Sequence, residues 1–157
     1  MAQKALNLED IVAGNIIQTK GIGSMTWLKD GERYSRLENN KQTGGTDIVA
    51  YRAKDNSREV IIPSSLLTDK STGRPIPVRS VSWSADNEKV LIYNNTRRVW
   101  RYDTRGDYWV LNLKDGALRQ LGKGMPESSM MFAKFSPDGT RVAYVSNNNI
   151  YVEDVAS

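Results

Sequence analysis

One pattern constrains this chain more than any other. An aromatic residue, a Ser, an Asp two positions on, a turn residue and a Val recur in register. Residues 81–93 read VSWSADNEKVLIY, residues 133–145 read AKFSPDGTRVAYV, and a weaker copy, MTWLKDGERYSRL, spans 25–37. The aromatic anchors Trp27, Trp83 and Phe135 are spaced by 56 and 52 residues. A second strand-like stretch recurs between them, IVAYRAKDN at 48–56 and YWVLNLKDG at 108–116. A period of about 40–55 residues with about four strands per unit describes propeller blades. A four-stranded blade cannot bury its faces alone, so each packs against its neighbour. The aromatic is expected to fill that space, and the Ser-x-Asp segment to shape its turn by side-chain hydrogen bonds to local backbone. An antiparallel meander or sandwich is the competing fold, and three registered copies favour blades.

Helical periodicity is confined to residues 6–14 (LNLEDIVAG), where Asn7 is a candidate cap and Gly14 a stop. Elsewhere, short runs of Val, Ile, Tyr and Trp alternate with polar residues and predict strands at 24–28, 32–38, 47–53, 58–62, 79–83, 89–94, 107–113, 117–121, 131–135, 141–146 and 149–153. Asp30-Gly31, Asp55-Asn56, Asp86-Asn87, Asp115-Gly116 and Asp138-Gly139 mark tight turns, where Gly and Asn tolerate the positive φ a hairpin requires. Residues 63–78 hold three of the five prolines and read as the longest loop. The expected fold is therefore all-β: an incomplete propeller of four-stranded antiparallel blades, two blades and part of a third, with a short helical lead-in. Its lead-in covers 1–20 and its propeller domain 21–157, in units of about 21–75, 76–125 and 126–157. So few units cannot close a ring of about four to eight blades, and an unclosed array exposes sheet edges. The chain is thus expected to be a piece of a longer protein that associates through open edges, swaps strands or is marginally stable.

Composition narrows the chemistry. Among 157 residues there is no His and no Cys, which excludes Ser-His-Asp and Cys-His triads, imidazole or thiolate metal ligation and disulfides within this chain. No cofactor and no metal is expected. Net charge is +4, and the span 97–105 alone holds Arg97, Arg98, Arg101 and Arg105 against Asp103. The remaining charges alternate in sign, so no broad basic face points to nucleic acid. No run of 18 apolar residues exists to span a membrane, and the N-terminus lacks a signal peptide's apolar core.

Two stretches carry a family resemblance: YNNTRRVWRYDTRGDYWVLNLKDG at 93–116 and FSPDGTRVAYVSNNNIYV at 135–152. Together they resemble the N-terminal propeller of dipeptidyl peptidase IV and its relatives in the prolyl oligopeptidase group of serine peptidases. The Ser-Pro-Asp-Gly motif is shared with TolB-like and many other propellers, whereas Val-Trp-Arg followed by Asn-Asn-Ile-Tyr-Val at this separation is more specific. LNLEDIVAG is similar to the lead-in before that propeller. The resemblance implies an eight-bladed propeller capping an α/β-hydrolase domain that removes dipeptides from N-termini after Pro or Ala. It further implies that the Arg of the Trp-Arg step, Arg101, binds a substrate carbonyl or carboxylate oxygen, for which a guanidinium fork is suited. The glutamate pair that holds the substrate's α-amine in that family has no counterpart here, and neither has the Gly-x-Ser-x-Gly elbow. The implied partners are a peptide substrate, the remaining blades and the hydrolase domain. The implied location is periplasmic or secreted after removal of a leader, with the cytoplasm as the alternative. The reading from residues alone is that the Arg group decorates a solvated hairpin, and a non-enzymatic TolB-like propeller that binds protein partners is the competing function.

Smaller features are assigned to structure. Trp100 is read as packing by alternation with Arg101 along a strand. Tyr93, Tyr102, Tyr108 and Trp109 are read mostly as cross-strand pairs. Arg105-Gly106-Asp107 is an ordinary hairpin tripeptide, and Asn94-Asn95-Thr96 is a formal glycosylation acceptor.

Overall fold

The structure is a computed structural model and describes residues 7, 8, 12, 21 and 23–156. The lead-in helix expected over 6–14 lies outside the described residues apart from Asn7, Leu8 and Val12.

Thirteen strands in the described residues form four antiparallel sheets. The first is a meander of β1 (Met25–Trp27), β2 (Arg33–Asn39), β3 (Thr46–Arg52) and β4 (Arg58–Ile62). A 3-10 turn at Ser64–Leu66 and a ribbon of β5 (Thr68–Asp69) with β6 (Arg74–Pro75) follow. The 63–78 segment is therefore a loop with local structure. The second meander holds β7 (Ser80–Trp83), β8 (Lys89–Val99), β9 (Tyr102–Asn112) and β10 (Leu118–Gln120). The third sheet has three strands, β11 (Met131–Phe135), β12 (Arg141–Ser146) and β13 (Asn149–Asp154). Two four-stranded blades and a three-stranded sheet make an incomplete propeller with open sheets, as the repeat predicts.

Period-2 alternation explains how the sheets stack. In β8 the run Val90-Leu91-Ile92 is buried throughout, which a strand can be only when both faces of its sheet are covered. Val90 and Ile92 join Leu111 of β9 in a cluster with Ile48, Ile62 and Leu67 of the first blade and its following loop. Leu91, between them, points the other way and packs with Tyr108, Val110, Leu121, Met130, Val142 and Tyr144, reaching the third sheet. The second blade is thus the filling between two neighbours. Trp83 fulfils the anchor role, since its Nε1–H donates to Ser35 Oγ of the first blade at 3.2 Å. Phe135 is half-buried against the second cluster. Trp27 does not fill an inter-blade space: it is 56% exposed and meets Tyr34 edge-on at 5.9 Å. The described residues place no sheet against that side of β1, so the indole has nothing there to fill.

The turn chemistry is as read. Gly31, Asn56, Asn87, Gly116 and Gly139 all have φ between 55° and 69°. The two Ser-x-Asp segments are superposable in their bonding. Ser84 Oγ donates to Asp86 Oδ1 at 2.5 Å and accepts from Lys89 N at 2.9 Å, while Asp86 Oδ1 accepts from Glu88 N at 3.0 Å. Ser136 Oγ likewise donates to Asp138 Oδ1 at 2.6 Å and accepts from Arg141 N at 3.0 Å, and Asp138 Oδ1 accepts from Thr140 N at 3.0 Å. Hydrogen bonds to the charged form stabilise it, and both carboxyls are held down at about 2 by these serines first and the backbone N–H second.

Candidate functional site

The two central strands of the second blade run far past the blade itself. The sequence predicts strands at 89–94 and 107–113, whereas β8 continues to Val99 and β9 begins at Tyr102. Arg98 lies opposite Asp103 and Val99 opposite Tyr102, with register shifts between Asn94 and Arg98. A paired arm of residues 95–105 results, and its tip is Trp100-Arg101. Trp100 is in the left-handed region at φ 61° and is 94% exposed, so it does not pack as alternation suggested. Alternation holds along a strand and fails at the tip, where the backbone reverses. Tyr102 is also exposed, at 73%, while Tyr93 and Tyr108 stack at 4.8 Å as cross-strand partners.

One side of the arm overhangs the starts of β1 and β7. Between them lies an open cleft of about 610 Å³ lined by Ser24, Arg79, Ser80, Tyr93, Arg98, Arg101, Tyr102 and Asp103. Its electrostatics are lopsided: three guanidinium groups face one carboxylate. Arg79 Nη2 pairs with Asp103 Oδ2 at 3.1 Å. Arg98 and Arg101 have no carboxylate partner among the described residues. The structure thus places Arg101 exposed at a cleft mouth, beside the unpaired Arg98. A carbonyl or carboxylate oxygen entering there would meet donors not already engaged by an acid.

The base of the arm holds an arrangement the sequence reading did not identify. In the first blade, Asn40 Nδ2 donates to Asp47 Oδ2 at 3.0 Å and Ser64 N to Asp47 Oδ1 at 2.7 Å. In the second, Asn95 Nδ2 donates to Asp107 Oδ2 at 2.6 Å and Ser128 N to Asp107 Oδ1 at 2.8 Å. Both carboxylates are buried, so each clasp satisfies an acid that water cannot reach. The Asn and Asp are seven positions apart in the first blade and twelve in the second. The paired strands give the length of the insertion on this shared frame: Leu37 pairs with Ile48 eleven positions on and Tyr93 with Tyr108 fifteen positions on, so the arm adds four residues. The signal was present as Asn39-Asn40 and Asn94-Asn95, with Asp47 and Asp107 beginning the recurrent strand, but the insertion breaks its register.

No group of three or more acidic side chains among the described residues is arranged to hold a metal ion, and no described helix is long and apolar enough to cross a membrane.

Fold and cleft together define an open propeller segment that presents arginines from an inserted arm. Residues 84–157 match the family model of the dipeptidyl peptidase IV (DPP IV) N-terminal region. The probable dipeptidyl-aminopeptidase B of Aspergillus oryzae is 26% identical over 82% of this chain and 13% of its own length. The dipeptidyl aminopeptidase B of Saccharomyces cerevisiae is 27% identical over 94% of this chain and 17% of its own length. Among solved structures, the dipeptidyl peptidase 4 of Porphyromonas gingivalis superposes with a TM-score of 0.75 at 20% identity, over 99% of this chain and 21% of that one. Over residues 84–157 the chain is thus similar to the N-terminal region of dipeptidyl peptidase IV, and it spans less than a fifth of the length of these curated relatives.

Proposed function

We propose that this chain is the N-terminal propeller part of a serine exopeptidase that removes dipeptides after Pro or Ala, walling the substrate chamber and contributing Arg101 to substrate binding. The observation that carries this reading is Arg101 at the tip of an inserted arm, without an acidic partner among the described residues, on a cleft in a chain similar to dipeptidyl aminopeptidases. The guanidinium fork suits the carbonyl oxygen of a bound peptide or its carboxylate. The chain holds no His, so it cannot supply a triad, and cleavage belongs to a hydrolase domain elsewhere on the longer protein. Release outside the cytoplasm, in the periplasm or by secretion, goes with this role.

The longer protein should release Gly-Pro from a chromogenic substrate in a reaction blocked by a serine-directed inhibitor, and the 157-residue chain alone should not. Inhibitor-sensitive release by the isolated chain, or none by the longer protein, would refute the proposal. A corollary concerns the open sheets. Among the described residues β13 pairs only with β12, and Ile150 and Val152 on it are 78% and 58% exposed. Such an edge accepts a further strand, and the isolated chain is expected to self-associate through it.

A further inference from the structure

We infer that Tyr93 is a positioning residue for Arg101, locking the inserted arm at the angle that presents the guanidinium to the cleft. This rests on the substrate role proposed for Arg101 and adds the residue that sets its place. The tyrosine lies on β8 below the arm, and its hydroxyl faces two backbone carbonyls of the returning strand, Asp103 O at 3.0 Å and Arg105 O at 2.9 Å. A single phenol thus ties down both sides of Thr104, just after the Arg101 tip. The ring is held from the other direction by stacking on Tyr108. It also lies so close to Gly106 that a β-carbon there would come within 2.3 Å of Tyr93 Cε2 and 2.6 Å of Asn94 O. Gly106 is thus required by contact and not by its φ. Burial, the first cause, pushes the Tyr93 hydroxyl up to about 12, so it stays a donor throughout the neutral range.

Neighbouring contacts brace the same arm. Arg79 N donates to Tyr93 O at 2.9 Å, and the Arg79 side chain pairs with Asp103, so the residue leading into β7 reaches the arm both under the tyrosine and beside the cleft. The Asn95–Asp107–Ser128 clasp fixes the root. The shorter first-blade turn between Asn40 and Asp47 has a clasp but no such phenol, since Leu37, paired with Ile48 as Tyr93 is with Tyr108, stands where the second blade has Tyr93. The extra hydroxyl thus accompanies the longer insertion.

Tyr93→Phe keeps the ring and deletes only the donor. In hydrogen exchange on the 157-residue chain it should accelerate the amides of residues 97–105 by about 3- to 10-fold, the scale of one lost hydrogen bond, and leave the sheets unchanged. Tyr51→Phe, which deletes a phenol bonded to Glu38 in the first blade, should leave the arm's exchange as it was. In the longer protein Tyr93→Phe should raise KM for a dipeptidyl substrate more than it lowers kcat. On an Arg101→Ala background it should have no further effect. Unchanged exchange over 97–105, or kinetic losses that simply add to those of Arg101→Ala, would overturn the positioning role while leaving Arg101's own role intact. Unchanged kinetics in Arg101→Ala would overturn both.

Discussion

At the residue scale, the repeated Ser-x-Asp turn is the unit of local specification. Each aspartate takes one serine hydroxyl and one backbone N–H, to which Asp138 adds the Thr140 hydroxyl, an arrangement that favours the ionised carboxyl and fixes the reversal between two strands. Asp86 and Asp138 titrate at about 2 in the folded chain against an ordinary 3.8. Their stabilising contribution is therefore complete above pH 4 and is lost as pH falls through about 2. Replacing both serines, Ser84→Ala with Ser136→Ala, should lower Tm at pH 7, and the gap to the parent should narrow steadily between pH 4 and pH 2. Thermal melts across that interval check this, and a gap independent of pH would contradict it. These turns were legible in the sequence because Asp, Asn and Gly act through bonds two to five residues away.

At the element scale, the strands of the blades were legible and the arm was not. The runs Ile48-Val49-Ala50 and Val90-Leu91-Ile92 announce strands covered on both faces, and those strands are central in the first two sheets. The arm's residues, Thr96 to Arg105, carry no such alternation, because an arm paired only with itself has no core to face. Its strand pairing is set by contacts at a distance, the Tyr93 hydroxyl and the Asp107 clasp. For the same reason Trp100 misled, being read as a strand residue when it forms the turn. Packing predictions belong at this scale too. Leu111 lies fully buried where β9 faces the first blade, and Leu111→Ala should cost about 2–5 kcal/mol through lost burial and an unfilled cavity. Chemical denaturation of the isolated chain measures that cost, and a loss near zero would show that the two blades do not share a core.

At the scale of the molecule, the three blade sheets stack face to face, with the second blade sealed on both sides and β13 of the third sheet paired, among the described residues, only with β12. A charged residue on such an edge opposes pairing. Sedimentation velocity should therefore show concentration-dependent association of the isolated chain, reduced by Val152→Lys; a monomer at all concentrations would argue that the edge is blunted by other means. The number and order of blades were readable from the repeat. The cleft was not, because it forms where the arm of one blade overhangs strand starts in two, and Ser24, Arg79 and Arg101 are far apart in the chain. Only the resemblance singled out Arg101 from the four arginines of 97–105.

That choice is the centre of the account and can be tested on one residue. On the substrate role proposed for it, Arg101→Ala in the longer protein would remove one charge-assisted hydrogen bond, and kcat/KM should fall by about 10- to 150-fold, the equivalent of about 1.5–3 kcal/mol, with Tm unchanged. An unaltered kcat/KM in a folded variant would return Arg101 to the solvated surface of the hairpin.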